Sequence, residues 1–203
     1  KLKWFSNGIR ADVIVKNPEL MKLAAASGLY GALVGFESYS DEVLENVTKE
    51  TSVALNHKAS EVLRACGVVV YVVHVYGLPC EKMFAPTYKS GTKNSDIFSA
   101  SMISLIPGTP LYDRCVAEGV AHRIHEDERY YPYSTFLLGE GRSPRKMTLL
   151  YLGYIVRYHL SPITWWKALT STGVMRRFWL LDYISCFQYA FYLMLRKLGL
   201  RIA

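Results

Sequence analysis

Residues 28–49 read GLYGALVGFESYSDEVLENVTK and decide the fold of the chain. An apolar run over residues 29–36 predicts a buried strand, and it ends on the carboxylate of Glu37 and the hydroxyls of Ser38 and Ser40. Ser40 is a good N-cap, so a helix is predicted to begin directly after it. The stretch therefore predicts a strand, a polar tip and a helix in direct succession.

The polar tip is the first indication of a ligand site. In a parallel α/β sheet, polar groups that bind a ligand gather at the C-terminal ends of the strands. A buried strand has no packing reason to end on a carboxylate, because a desolvated carboxylate needs a partner. The alternative is a plain strand-to-helix turn with a capping Ser40 and a solvated Glu37. The residues alone leave both interpretations open.

The chain upstream of this stretch predicts a weak strand over residues 3–9 and then a helix. Asn17, Pro18 and Glu19 form a good helix start, with Pro18 at N1, and Gly28 ends the helix. The helical period predicts a buried stripe on this helix formed by Leu20, Leu23 and Ala24.

The alternation continues downstream. A helix over residues 52–66 leads into a β-branched strand over residues 68–75, which we expect to be covered on both faces. Residues 97–106 predict a further strand. Strands that alternate with helices at this spacing predict βαβ units and a parallel sheet.

Three later segments are less regular. Pro86 and Gly91 interrupt the helix that a crossover over residues 82–93 requires, so a short connection or a sequence error is expected there. Residues 113–118 predict a short helix, and residues 122–129 a polar loop.

Composition bounds the class of protein. The chain has 203 residues, of which 51% are hydrophobic and 20% charged, so we expect a globular protein with a sizeable core and not a disordered one. It begins with Lys1 and opens without a secretory signal, inside an α/β pattern, and we expect it to be a piece of a longer protein.

The four cysteines lie far apart without paired spacing, which predicts free thiols in a reducing, cytoplasmic compartment.

Charge is uneven along the chain. Residues 141–203 contain ten Lys or Arg and one acid, Asp182, whereas residues 1–140 are nearly neutral. Nucleic-acid recognition signatures are absent, so no nucleic-acid partner is expected.

Two further motifs follow the polar tip in order. They are Gly77-Leu78-Pro79-Cys80-Glu81 and Pro107-Gly108-Thr109-Pro110-Leu111-Tyr112. With residues 35–44, the series resembles the later half of a radical S-adenosylmethionine (radical SAM) enzyme, in the group that carries a cobalamin-binding domain ahead of the barrel. Arg10-Ala11-Asp12 and Asn17-Pro18-Glu19-Leu20 also fall where that group has similar residues, so the resemblance covers residues 3–112.

The resemblance implies an α/β fold. Residues 1–112 would form part of a radical SAM (βα) barrel, about strands 3 to 6. Residues 113–142 would form a connecting region, and residues 143–203 a basic, aromatic helical tail. The intact enzyme would bind SAM at a 4Fe–4S cluster and cleave it reductively to a 5′-deoxyadenosyl radical. Cobalamin, a reductant protein such as flavodoxin or ferredoxin and an unidentified small-molecule substrate are the further expectations.

The cysteine loop of the family, Cys-x-x-x-Cys-x-x-Cys, is missing from these residues. A 4Fe–4S cluster needs thiolate ligands, and none of the four cysteines has this spacing. We expect no metal ligand within the chain, and we expect the loop one or two βα units upstream of Lys1.

The resemblance also implies which residues would contact SAM. Glu37, at the end of a barrel strand, would accept hydrogen bonds from the ribose or methionyl group. Ser38 would lie beside it at the same end of the strand. Lys49 would face the SAM carboxylate, although a solvated lysine at a helix C-terminus is an equal alternative. Gly77 and Pro79 would let the backbone approach the adenine.

Other residues near these positions have more ordinary interpretations. Arg10 and Asp12 are expected to form an ion pair at the barrel mouth, or Arg10 contacts SAM. Tyr39 stands where the family usually has Gly, so it adds bulk beside the cofactor or requires a different turn. Cys80 has no activating neighbour in sequence, and His74 is expected to be a core or lining residue.

Two rival functions remain open. The first is a noncatalytic binding module whose basic aromatic tail engages a membrane surface or a partner protein. The second is a phosphate-binding α/β barrel that uses Gly108 and Thr109, which is weaker because no Gly-rich run opens a helix there.

The tail segment 176–197 is not expected to cross a membrane. Its uncharged run between Asp182 and Arg196 is thirteen residues, well short of the ~20 that a spanning helix needs. It either lies along an anionic surface as a peripheral contact or packs against the barrel. Packing is preferred, because amphipathic helices of soluble proteins usually face the core.

Overall fold

Four parallel strands form the central sheet: β1 (Trp4–Ser6), β2 (Leu29–Glu37), β3 (Val69–Tyr76) and β4 (Ile97–Met102). They lie side by side in the order β1-β2-β3-β4, and each neighbouring pair is parallel. Sequential parallel strands joined by crossovers are the arrangement of a (βα) barrel. The predicted α/β fold, with a parallel sheet of the barrel type, is confirmed.

This computed structural model describes residues 2–47, 49–78, 90–91, 93–103, 105–119, 121–123, 135–137, 149, 153–154, 156–171, 173, 175–181 and 183–184. The chain divides into two compact units, residues 1–154 and residues 155–203. The predicted domain boundaries at residues 112 and 142 stay a prediction.

Helices precede and follow the strands. They are α1 (Ala11–Lys16), α2 (Pro18–Ser27), α3 (Asp41–Asn46), α4 (Val53–Ala65) and α5 (Pro110–Ala117) in the first unit, and α6 (Pro162–Thr170) in the second. The predicted cap of α3 is confirmed, because Ser40 Oγ accepts a hydrogen bond from Val43 N at 3.4 Å. Gly28 ends α2 as predicted, with a φ of +120° that favours glycine.

The sheet has one fully buried face and one partly exposed face. Val70, Val72 and His74 of β3 are buried, whereas the residues that alternate with them are half-buried. Helix α4 covers the buried face, where His57 of α4 and His74 both contact the ring of Tyr39. Strand β3 is therefore covered fully on one face and partly on the other, and no residue of β3 is exposed.

The buried stripe predicted on α2 was wrong as well. Leu20 and Leu23 are 52% and 68% exposed, and Met21 is the buried residue at 4%. Apolar residues lie on more than one face of α2. The helical spacing of these residues therefore did not predict which face packs against the rest of the unit. Helix α1 was missed because its six residues are too few to show a period.

Gly91 does not interrupt a helix. Residues 90–91 and 93–94 are helical, and a Cβ on Gly91 would lie 2.5 Å from the Phe98 ring. Glycine is therefore needed for close packing, which a propensity argument does not detect. The rest of the irregular segment, residues 79–89, lies outside the described residues.

Three boundaries differ farther along the chain. Strand β4 ends at Met102, whereas the sequence predicted a strand over residues 97–106. Helix α5 begins at Pro110, three residues before the predicted start, because Thr109 Oγ1 accepts a hydrogen bond from Tyr112 N at 3.3 Å. In place of the start of a polar loop, Ala121–Arg123 (β5) pairs antiparallel with Thr135–Leu137 (β6). Backbone pairing of these short strands leaves no strong sequence signal.

The second unit is helical in its described part, as predicted. The described helical residues fall into three segments, which are residues 156–159, α6, and residues 173, 175–181 and 183–184. They meet at His159, whose carbonyl accepts hydrogen bonds from Trp165 Nε1 at 2.7 Å and Tyr183 OH at 3.0 Å. Among the described residues, no helix has the length and apolarity needed to span a bilayer.

Candidate functional site

A cleft of about 280 Å³ lies beside the end of β2. It is lined by residues that follow β1, that end β2 and that join α3 to α4, namely Arg10, Ala11, Asp12, Gly35, Lys49, Glu50 and Thr51. The sequence placed a ligand at the carboxyl ends of the strands, and this cleft occupies that edge of the sheet.

Glu37 ends β2 in an unusual backbone conformation. Its φ is +60°, a left-handed value that is uncommon for residues other than glycine. Ser38 N donates to Phe36 O at 2.7 Å, which closes a three-residue γ-turn around Glu37. The register between β2 and β3 shifts between Gly35 and Glu37. The turn and the bulge re-aim the Glu37 side chain at the end of the strand.

The Glu37 carboxylate is held by an ion pair. Glu37 Oε1 accepts a hydrogen bond from Lys49 Nζ at 2.9 Å, with side-chain exposures of 20% and 49%. A Cβ on Gly35 would lie 2.6 Å from the same oxygen, so glycine leaves room for the carboxylate. The structure thus brings together two residues that sequence reasoning assigned separately to different groups of one ligand.

Asn56 ties the Lys49 loop to the strand end. Its amide Nδ2 donates to Phe36 O at 3.2 Å, and its Oδ1 accepts from Thr51 Oγ1 at 3.0 Å. Asn56 is fully buried. Sequence reasoning missed this residue, although a buried amide in line with Ala59 and Leu63 on one helix face was the available signal.

Arg10 is the centre of a charge network at the other side of the cleft. It donates to Asp12 Oδ1 at 2.9 Å and to Glu50 Oε2 at 3.3 Å, and Lys16 Nζ lies 3.5 Å from Asp12 Oδ2. The Arg10–Asp12 pair was predicted, whereas Glu50 was not. The hydrogen bond from Arg10 lowers the pKa of Asp12 below its ordinary value.

This shift predicts a pH dependence of stability. Because the folded pKa of Asp12 is lowered, its contribution is present above the unfolded pKa and is lost as the pH falls through the folded pKa. In Asp12→Asn, the free energy of unfolding should therefore fall less steeply below about pH 4. Urea denaturation across that range measures it.

Arg10→Gln is the matched variant for this measurement. It removes the partner of Asp12 and should flatten the acid limb in the same way. Acid limbs that run parallel in the wild type and both variants would contradict the assignment.

The other implied site residues are placed differently. Ser38 is 1% exposed, and its Oγ accepts from Ser40 N at 3.1 Å, so its side chain serves the turn. Gly77 follows β3 at the same edge of the sheet with a φ of +88°. Neither residue lines the cleft. Pro79 lies outside the described residues.

Tyr39 and His74 belong to an aromatic cluster on the helix-covered face. The Tyr39 ring lies 6.2 Å from both the His74 and the Phe98 ring, and burial raises the pKa of its hydroxyl above the ordinary value. The bulk of Tyr39 therefore does not line the cleft. His74 is fully buried, as expected for a core residue.

The described residues do not fit a 4Fe–4S cluster. Of the described residues, no three His, Cys, Asp or Glu side chains gather in a group that could hold a metal. Cys66, directly after α4, and Cys115, within α5, are free thiols far apart in sequence, and the cluster needs several converging thiolates.

Solved structures with the same fold were found, although no protein-family model and no curated protein matches the chain. The radical SAM methyltransferase TsrM from Kitasatospora setae, with cobalamin and a 4Fe–4S cluster bound, has a TM-score of 0.59 at 15% identity, over 90% of this chain and 43% of that one. TsrM with tryptophan substrate and the SAM analogue aza-SAM bound has a TM-score of 0.61 at 14% identity, over 93% of this chain and 46% of that one.

A second enzyme is similar in the same way. The cobalamin-dependent SAM radical enzyme OxsB, with aqua-cobalamin and SAM bound, has a TM-score of 0.56 at 14% identity, over 98% of this chain and 38% of that one. The chain thus spans less than half the length of these structures. At such identities the likeness shows the fold of cobalamin-dependent radical SAM enzymes.

Proposed function

We propose that this chain supplies part of the SAM site of a cobalamin-type radical SAM enzyme. The observation that carries the proposal is the Glu37–Lys49 pair, which lies at the carboxyl end of a parallel strand of the barrel type, with Lys49 lining a cleft. In that class, SAM bound to a reduced 4Fe–4S cluster supplies a 5′-deoxyadenosyl radical that abstracts hydrogen from the substrate.

The donor set fits the chemistry of SAM. The ribose hydroxyls and the amino group are donors, and Glu37 offers two acceptor oxygens. The methionyl carboxylate is an anion, and Lys49 and Arg10 are cations at the cleft. Glu37 and Lys49 neutralise each other in the structure, so the zwitterionic methionyl end of SAM would exchange that one ion pair for two at these side chains.

The chain's own contribution is to place and to shield the ligand. Asn56 fixes the loop of Lys49 against the end of β2, so the cation and the carboxylate are held before the ligand arrives. Gly35 has no side chain, so the space next to the Glu37 carboxylate stays open. The proposal further includes a cysteine triplet outside residues 1–203, cobalamin, a reductant such as flavodoxin or ferredoxin, and a small-molecule substrate.

The phosphate-binding alternative has less support. Thr109 Oγ1 donates to Ile106 O at 2.7 Å and accepts from Tyr112 N at 3.3 Å. The hydroxyl that would hold a phosphate is therefore engaged as the cap of α5.

The full-length protein tests the proposal. We expect it to bind SAM in isothermal titration calorimetry and to gain the broad visible absorption of thiolate-bound iron–sulfur after anaerobic reconstitution with iron and sulfide. A protein that binds SAM but stays colourless and iron-free is a noncatalytic binding module, and one that does neither contradicts the proposal.

A further inference from the structure

Helix α6 turns its apolar side to solvent. Ile163, Trp165, Trp166 and Leu169 are 55%, 50%, 70% and 75% exposed, whereas Thr164 is buried and Lys167 and Ala168 are partly covered. On a helical wheel the four exposed residues share one arc, and the covered residues lie opposite. An ordinary surface helix has the reverse arrangement, with its apolar stripe inward.

The two neighbouring helical segments also expose apolar side chains. Val156 is 54% exposed before α6, and Leu180 and Leu181 are 62% and 63% exposed after it. Trp179, between these residues in sequence, is buried in the unit with its ring 6.3 Å from Tyr158. The unit therefore has its own packed interior, and the exposed apolar side chains are additional to it. Such exposure marks an interaction surface.

The charge of the unit indicates the partner. Arg157, Arg176 and Arg177 are exposed, and the described residues of 153–184 contain no Asp or Glu. Over residues 141–203 the sequence has ten basic residues against Asp182 alone. A partner that meets both features presents negative charge at its surface and hydrocarbon directly beneath it.

We propose that the second unit binds the surface of a membrane rich in anionic phospholipid, independently of the proposed SAM site. Ile163, Trp166 and Leu169 enter the boundary between headgroups and acyl chains, while the arginines contact lipid phosphates. Tryptophan favours this boundary, because its ring is apolar and its N–H is polar. Helix α6 has nine residues, about 14 Å, so it lies in the plane of the surface.

A protein partner is less favoured by these observations. The buried core of a protein interface is depleted of charge. Here, by contrast, Arg176 and Arg177 share one arc of a helical segment with the exposed Leu180 and Leu181. A lipid surface takes both kinds of side chain at once, because charge and hydrocarbon lie at different depths.

Vesicle flotation of the full-length protein tests the proposal. We expect binding to phosphatidylcholine vesicles that contain phosphatidylglycerol at low salt, weaker binding at high salt and little binding to pure phosphatidylcholine. The double variant Trp166→Ser with Leu169→Ser should lower the partition coefficient at least about tenfold. Arg176→Gln with Arg177→Gln should lower it by about tenfold as well.

Leu20→Ser with Leu23→Ser is the matched control. It removes two apolar side chains of similar exposure from α2, in the first unit, and should leave flotation unchanged. The Trp166 and Leu169 side chains are mostly exposed, so thermal unfolding should not change in that variant. If thermal unfolding does change in the Trp166→Ser with Leu169→Ser variant, the flotation of the Arg176→Gln with Arg177→Gln variant tests the proposal in its place.

Any of the following results would overturn the proposal. They are no binding to anionic vesicles at low salt, equal binding to neutral vesicles, and unchanged binding in either double variant. Capture of the protein by anionic vesicles through the α2 leucines would overturn it as well.

Discussion

Replacing Gly28 with Ala should lower the free energy of unfolding by about 3 kcal/mol or more. A Cβ at Gly28 would lie 2.0 Å from the backbone oxygen of Leu2, and the φ of +120° is strained for any L side chain. Backbone cannot yield as a side chain can. The segment before β1 must therefore move, and the hydrogen bond from Trp4 N to Gly28 O would be lost with it. Urea denaturation of the full-length protein measures the change.

Gly67→Ala is the control for the steric part of this effect. Gly67 also follows a helix and precedes a strand, and its φ is +71°, but a Cβ there would meet nothing within 4 Å. It should lower the free energy of unfolding by only about 1–2 kcal/mol, the cost of a left-handed conformation. Equal losses at the two glycines would show that the segment before β1 does not approach Gly28 as closely as in the structure.

Replacing Glu37 with Ala should weaken SAM binding about ten- to a hundredfold. Hydrogen bonds to a charged acceptor contribute roughly 1.5–3 kcal/mol, and the variant removes that acceptor. Lys49 keeps its solvation because it is half exposed, so Lys49→Ala should act in the same direction but less strongly. Glu45→Ala, which removes an exposed carboxylate from α3, should leave the affinity unchanged. Titration calorimetry compares the three variants.

The backbone of Glu37 gives this prediction a second readout. At an ordinary strand position, glycine is less stable than alanine by roughly 0.5–1 kcal/mol. At Glu37 the φ of +60° should reverse that order, so Glu37→Gly should be more stable than Glu37→Ala while both bind SAM weakly. Unchanged SAM affinity would reduce Glu37 to a solvated turn residue, and the usual order of stability would contradict the γ-turn.

The sequence predicted the elements whose signals are local. Ser40 caps α3 and Pro18 opens α2 because capping and proline geometry act within a few residues. Strands β2 and β3 are mostly apolar, so their predicted bounds were close to those observed. The parallel sheet followed from the alternation of these elements.

The remaining features depend on contacts between distant residues. Nothing in the local sequence showed that Glu37 adopts a left-handed conformation or that its carboxylate meets Lys49, since a bulge and a loop set that distance. The role of Asn56 depends on a carbonyl twenty residues away. The same limit applied to Leu20 and Leu23, because a helical period does not say which of several apolar faces meets the sheet.

The strand order also bears on how the chain assembles during synthesis. Each strand of the sheet pairs with the strand that precedes it in the sequence, so the sheet grows from one side as translation proceeds. Until β4 leaves the ribosome, β3 presents one row of unpaired N–H and C=O groups along a β-branched segment. That interval is when a nascent chain is most exposed to pairing with another copy, and a translational pause just after residue 102, while β4 is still inside the ribosome, would lengthen it.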